Sequence, residues 1–272
     1  MDEWFLVDVQ YDHSRSEIIW ACLYSHPCLG VEEIAPGACR AYFPVDIPRE
    51  PILTDLRRCD CVFQVMDSTL RPEDWHSRWM ESYRSFRVDP FWIRPTWEPS
   101  AFPPNLTEVV MDPKGAFGTG THETTQLCLK NLPRVVEGRR AALDLGCGSG
   151  ILAIALCKLA PRLKVLALDN DFEACLVCCE NRELNRTCFG VACGELSATR
   201  GVFDLIIANL QMDLLLRVLP ELLDRTDSGA LLVVSGLLEE QVEEFRRAYD
   251  GPLRLQDWKR QGEWAALTYL RP

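Results

Sequence analysis

The sequence predicts an α/β protein. A doubly wound, Rossmann-like sheet of seven strands follows a small α+β domain of ferredoxin-like pattern. Three observations carry this reading. From Arg139 onward, apolar runs alternate between strand and helix periodicity. Residues 4–66 read strand–helix–strand–strand–helix–strand, the split β-α-β pattern. A polar, tryptophan-containing stretch at 67–85 belongs to neither. The expected division is therefore a domain at 1–66, a linker helix at 67–85 and a larger domain at 86–272.

In the first domain, Trp4–Tyr11 alternates with period two and reads as a strand. A helix pattern follows over Ser14–Tyr24. Short strands are expected around Gly30–Ile34 and Cys39–Phe43, a helix around Ile52–Arg58 and a strand over Cys61–Met66. In the linker, Pro72 with Glu73 and Asp74 suits a helix start, and Trp75 and Trp79 share a face. Pro90 to Pro104 is rich in proline and aromatics and reads as an extended strand and loop.

The larger domain repeats strand and helix. Strands are expected at Ala141–Leu145, Lys164–Leu168, Phe189–Cys193, Phe203–Ala208 and Ala230–Ser235. Helices are expected at Ile151–Ala160, Phe172–Leu184, Met212–Asp224 and Glu239–Tyr249. Repeated strand–helix units imply a parallel sheet. Leu253–Lys259 and Trp264–Leu270 close the chain. Only a turn near Gln261–Gly262 joins them, so one of the pair runs antiparallel.

The chain has 272 residues with net charge −11, which disfavours a phosphate backbone as partner. Residues 1–85 carry 8 basic and 15 acidic side chains, so most of the net negative charge lies there. That field suits a basic macromolecule. No apolar run is long enough for a membrane-spanning helix, and the N-terminus does not read as an export signal. With 13 cysteines and no such signal, the expected compartment is the reducing cytosol. Cys175 and Cys178 have the spacing of zinc ligands. They fall inside a helix without a second closely spaced pair, so packing is the favoured reading and no metal is expected.

The chemistry is carried by Leu143-Asp144-Leu145-Gly146-Cys147-Gly148-Ser149-Gly150, which joins the first strand of the larger domain to its first helix. Glycines let the backbone turn tightly and approach a ligand, and the helix start adds free N–H groups. Ile151 stands where a dinucleotide fingerprint places its third glycine, so a pyrophosphate is disfavoured. An adenosine without phosphates suits the loop better. Asp169 ends the second strand, where a carboxylate can accept both ribose hydroxyls. Asp144, just before the glycines, is placed for an ammonium group.

The glycine loop, the ribose acid and the closing antiparallel strand together resemble the class I S-adenosylmethionine-dependent methyltransferases. A second signature is narrower: residues 112–129 read DPKGAFGTGTHETTQLCL, a glycine-rich loop that Thr121 can cap where a helix begins. With DWHSRWMESYRSFRV, IRPTW, Ala208-Asn209-Leu210 and SGLLEEQ at 235–241, it resembles the bacterial PrmA family. That family methylates lysine side chains and the α-amine of large-subunit ribosomal protein eleven. The likeness covers residues 67–270 well. The first domain matches only through Gly30-Val31-Glu32 and Ala41-Tyr42-Phe43-Pro44.

The resemblance implies S-adenosylmethionine as cofactor, with contacts at Thr125, Gly146, Asp169 and Asn209; Asp144 and Gly148 complete the expected cofactor set. It also implies that the first domain recognises the protein substrate. The family usually has glycine where Lys114 stands and often isoleucine at Leu210; neither change is expected to touch the cofactor. Lys114 puts a charge beside the loop.

Asn209 ends the fourth strand and is the candidate catalytic residue, because its amide oxygen can accept amine N–H bonds and aim the lone pair. Of the sequence that amine methylases often carry there, only this first position fits. His122 is the nearest candidate base, though packing or capping is favoured for it.

The expected reaction is methyl transfer to lysine ε-amines or the N-terminal α-amine of ribosomal protein eleven, free or ribosome-bound, by a cytoplasmic monomer without direct nucleic-acid recognition. A methyltransferase for another protein lysine or a small molecule is the alternative. A scaffold or a dinucleotide oxidoreductase is disfavoured by the intact loop and by Ile151.

Overall fold

The structure, a computed structural model, describes residues 4–70, 83–112, 114 and 118–272. The chain divides into two compact units, Met1–Tyr83 and Arg84–Pro272.

The first unit runs β1 (Trp4–Tyr11), α1 (Ser16–Tyr24), β2 (Gly30–Ala35), β3 (Ala38–Pro44), α2 (Arg49–Arg58) and β4 (Val62–Leu70). The strands form one antiparallel sheet, ordered β2-β3-β1-β4. Alternation along β1 turns Phe5, Val7, Val9 and Tyr11 inward, into one core with Ile19 and Leu23 of α1 and Ile52 and Leu56 of α2. The β2–β3 turn needs Gly37: its φ is +81°, and a Cβ there would lie 2.7 Å from the Tyr11 carbonyl oxygen.

Three boundaries move. Residues 13–15 form a separate 3-10 turn, capped by Asp12, whose side chain accepts from the Ser14 N–H. Helix α2 starts three residues earlier than its apolar pattern, because Arg49, Glu50 and Pro51 make a polar first turn. Residues 67–70, assigned from sequence to a linker helix, are the end of β4 and pair with Trp4–Val7. As an edge strand, β4 tolerates polar residues that would argue against a central strand. Residues 71–82 of the expected linker helix lie outside the described residues, and its last three, 83–85, lead into the next strand without forming helix.

The second unit opens with β5 (Phe86–Val88), β6 (Phe91–Pro95) and β7 (Thr107–Met111). They form a small sheet of their own, antiparallel between β5 and β6 and parallel between β6 and β7. Helix α3 (Glu123–Val135) follows. Then come β8 (Ala141–Leu145), α4 (Ile151–Leu159), β9 (Lys164–Asp169), α5 (Phe172–Leu184), β10 (Gly190–Cys193), β11 (Phe203–Asn209) and α6 (Met212–Asp224). The unit ends with β12 (Thr226–Leu238), α7 (Val242–Tyr249), β13 (Arg254–Gln261) and β14 (Trp264–Leu270).

The seven-stranded sheet has the order β10-β9-β8-β11-β12-β14-β13. It is parallel from β10 to β12, and β14 runs antiparallel to both neighbours. Leu143 of β8 and Leu205, Ile206, Ile207 and Ala208 of β11 have no exposed surface. These strands are buried on both faces, which is why they read as continuous apolar runs. One core packs α3 and α4 on one face, and a second packs α6 and α7 on the other.

Strand β7 and the sheet it completes were not expected from sequence. Its free edge is satisfied by side chains of α5. Asn185 accepts from the Val110 N–H (2.9 Å) and donates to the Val110 carbonyl (2.6 Å), and Asn181 accepts from the Asp112 N–H (2.8 Å). The expected helix start at Glu239 is instead a 3-10 turn over Glu239–Gln241 leading into α7.

Candidate functional site

The carboxyl ends of β8, β9, β10 and β11 surround a cleft of about 330 Å³, in the range of small-ligand sites. The glycine loop forms its floor. The Gly146 and Cys147 N–H groups both donate to the Leu168 carbonyl (2.8 and 3.1 Å), tying the loop to β9. Gly146 has φ +71°, and a Cβ there would meet the Leu210 side chain at 2.3 Å. No other residue fits that position without moving Leu210 out of the cleft it lines.

Asp169 stands at the end of β9 and lines the cleft. One carboxylate oxygen accepts from the Gly148 N–H (2.8 Å) and the other from the Asp171 N–H (3.0 Å). Both oxygens keep lone pairs for a pair of ligand hydroxyls. Asn209 closes the cleft at the end of β11. Its Nδ2 donates to Thr125 Oγ1 at 3.3 Å, and its Oδ1 has no partner among the described residues. Thr125, buried in the first turn of α3, thereby turns the Asn209 amide rather than lining the cleft.

Asp144, expected to meet an ammonium group, does not line this cleft. Strand alternation places it on the face of Ala142, toward the start of α4, where Oδ2 accepts from the Ala153 N–H at 3.0 Å. It is 1% exposed, and Oδ1 has no partner. Burial, with a smaller contribution from the negative charge of Asp169, pushes its carboxyl up to about 7.

The loop before α3 is fastened at Gly118 and at His122. Ser149 Oγ donates to the Gly118 carbonyl (2.7 Å). His122, not Thr121, caps α3: its Nδ1 accepts from the Thr124 N–H (3.3 Å), and its ring packs edge-on against Trp264. Lys114 has φ +47°, the left-handed region where glycine is usual, and its ammonium pairs with Glu180 at 2.5 Å. The charge it brings is thus largely neutralised by α5.

Six residues read from sequence therefore meet in one neighbourhood. Gly146, Gly148, Asp169 and Asn209 line the cleft, while Thr125 and Asp144 support it from behind. Sequence reasoning missed Asn170, Glu195 and Leu196 at the ends of β9 and β10, and Leu214, Arg217, Val218 and Glu221 on α6. It also placed Leu210 outside the cofactor's reach, whereas Leu210 lines the cleft over Gly146. The signal for Glu195 was its place just after a strand end. Nothing local marks the α6 residues, whose i, i+3, i+4 and i+7 spacing reads equally well as a packed face.

The cleft fits S-adenosylmethionine: the floor admits no Cβ at Gly146, and the carboxylate at the end of β9 suits a ribose. Comparison with known proteins points the same way. The family model described as ribosomal protein L11 methyltransferase (PrmA) matches residues 24–272. A ribosomal protein L11 methyltransferase of Pelobacter propionicus is 41% identical over 75% of this chain and 69% of its own length. One from Campylobacter concisus is 29% identical over 99% of this chain and 86% of its own length. The crystal structure of ribosomal protein L11 methylase from Lactobacillus delbrueckii subsp. bulgaricus superposes with a TM-score of 0.65 at 30% identity, covering 70% of this chain and 99% of that one. The chain belongs to the ribosomal protein L11 methyltransferase family.

Proposed function

We infer that this protein is an S-adenosylmethionine-dependent methyltransferase whose substrate is ribosomal protein L11, and that the acceptors are lysine ε-amines, the N-terminal α-amine, or both. The observation that carries the amine assignment is Asn209, whose Nδ2 is held by Thr125 and whose Oδ1 is left as an acceptor at the cleft. S-adenosylmethionine supplies an electrophilic methyl group on a sulfonium. Asp169, braced by the Gly148 N–H, would hold the ribose side of the ligand, and the Gly146 turn would bring the loop backbone close to it.

Asn209 Oδ1 accepts one amine N–H and orients the nitrogen lone pair for in-line attack. A lysine must lose a proton first, at a cost of about 4–5 kcal/mol at pH 7. A nearby positive charge and exclusion of water lower that cost. No dedicated side-chain base is required, since water takes the proton. His122 Nδ1 is engaged by the first turn of α3 and acts as a cap.

The first unit is proposed as a ferredoxin-like substrate-recognition domain, supported by its β2-β3-β1-β4 antiparallel order. Its acidic excess suits a basic protein substrate better than a nucleic acid. Action in the cytoplasm as a monomer completes the reading. Among the described residues, no helix is long and apolar enough to cross a membrane.

The test is mass spectrometry of purified ribosomal protein L11 after incubation with the protein and S-adenosylmethionine. Successive additions of one methyl-for-hydrogen mass step, mapped to lysines or the N-terminal amine, are expected. A mass change confined to other side chains, or none while the cofactor still binds, overturns the substrate assignment.

A further inference from the structure

Among the described residues, three pairs of cysteines are near neighbours: Cys22 with Cys59, Cys147 with Cys178, and Cys175 with Cys193. All are reduced. They differ in access and in what lies beside them. Cys147 belongs to the glycine loop and Cys178 packs beneath it, both buried and out of reach of a dissolved oxidant. Cys22 and Cys59 are both half-buried in the first unit, whose residues do not line the cleft. Only the third pair joins a buried thiol to an exposed one at the rim of the cleft.

Its geometry is specific. Cys193 is the last residue of β10 and pairs in register with Asp169 of β9. Cys175 lies in the first turn of α5, 6% exposed, and its single S–H is shared between the carbonyls of Ala192 (3.5 Å) and Asp169 (3.7 Å). Cys193 Sγ donates to the Asn170 carbonyl at 3.8 Å. Both sulfurs thus grip the backbone segment that presents Asp169 and Asn170 to the cleft, and Gly194, next in the chain, lines it too. Cys175 Sγ lies against the carbonyl of Ala192, the residue bonded to Cys193, so closing a bond of about 2.05 Å requires movement of the two residues toward each other. β10 is the edge strand of the sheet, held by β9 alone, and can supply it.

We propose that Cys175 and Cys193 are an oxidation site: they form a reversible intramolecular disulfide that weakens cofactor binding at the adjoining cleft. The co-reactant is a small-molecule disulfide. The exposed Cys193, as thiolate, attacks one sulfur of that disulfide, forming a mixed disulfide and expelling one thiolate. Cys175 then loses its proton and attacks Cys193 Sγ, expelling the second. Two protein thiols are oxidised and one external disulfide is reduced to two thiols. Burial and the neighbouring Cys193 push the Cys175 thiol up to about 12, so Cys193 attacks first and Cys175 resolves. The bond removes the S–H donors to Asp169, Ala192 and Asn170, and it moves the end of β10.

The experiment uses the full-length protein incubated with oxidised glutathione, blocked with an alkylating agent and digested without reductant. A peptide cross-linked between Cys175 and Cys193 is expected from the wild type and not from Cys193→Ser. Titration with S-adenosylhomocysteine should show affinity falling about fivefold on oxidation, the scale of one lost hydrogen bond, with recovery under dithiothreitol. Cys193→Ser, altered at an exposed position, should bind equally before and after treatment. Cross-links confined to the other thiol pairs overturn the site. A Cys175–Cys193 bond that leaves the affinity unchanged overturns its link to the cleft.

Discussion

Asp169 and Asp144 are two carboxylates at the same glycine loop with opposite environments. Asp169 faces the cleft with each oxygen held by a backbone N–H. Asp169→Ala removes the ligand acceptor and leaves both N–H groups without it, so affinity for S-adenosylhomocysteine should fall at least about a hundredfold by calorimetry. Asp144 is sealed beneath the loop, beside Cys128, Cys147 and the charge of Asp169. Its carboxyl, pushed up to about 7 in the folded state, lies well above the ordinary carboxylate value of about 3.9. The native state therefore binds more protons than the unfolded state between these values, and this group's contribution to stability declines as pH rises from about 4 to about 7. Asp144→Asn removes that titration. Denaturation midpoints at pH 5 and pH 8 should differ less in the variant than in the wild type, by the equivalent of about 2 kcal/mol. His122→Ala should lose a helix cap worth about 1 kcal/mol, seen as a lower melting temperature. Its turnover should fall by less than about a hundredfold, below what a lost general base produces.

At the scale of elements, α5 does more than cover the sheet. Asn181, fully buried, accepts from the Asp112 N–H and donates to the Ser149 carbonyl, joining the start of the α3 loop to the glycine loop. Asn185 completes the edge of β7 one turn later. Asn181→Leu keeps the volume and strands a buried donor and a buried acceptor. It should destabilise the protein by about 3 kcal/mol in urea unfolding. Cofactor affinity should fall with it, because the glycine loop loses its tie to β7. Lys114 belongs to the same neighbourhood, where its pairing with Glu180 holds a residue at positive φ on the face of α5.

For the whole molecule, the chain separates at Tyr83/Arg84, and every residue lining the cleft lies in the second unit. A protein beginning at Arg84 should therefore bind S-adenosylhomocysteine as the full chain does, yet fail to methylate ribosomal protein L11. Unchanged turnover on that substrate would remove the recognition role proposed for the first unit.

The periodicity of β8, β9 and β11 was legible because these strands are buried on both faces and carry long apolar runs. The glycine loop and Asp169 were legible for a different reason: a sharp turn at positive φ followed by a helix demands glycine at fixed spacing, whatever surrounds it. These are local constraints, and a single stretch of chain contains them. Three features were settled only by packing between distant segments. Residues 67–70, of which the first three are polar, became strand because β1 offered a partner edge. Residues 107–111 became β7 because β6 and two asparagines some 70 residues later satisfied its backbone. Asp144 turned toward α4 rather than the cleft because of the face on which β8 presents it. The sequence alone determined the strand–helix units of the larger domain from β8 onward, the glycine loop and the acid that ends β9. The tertiary structure decided which side chains face the cleft, because facing is a relation between elements far apart in the chain, and close packing leaves each side chain few directions to point.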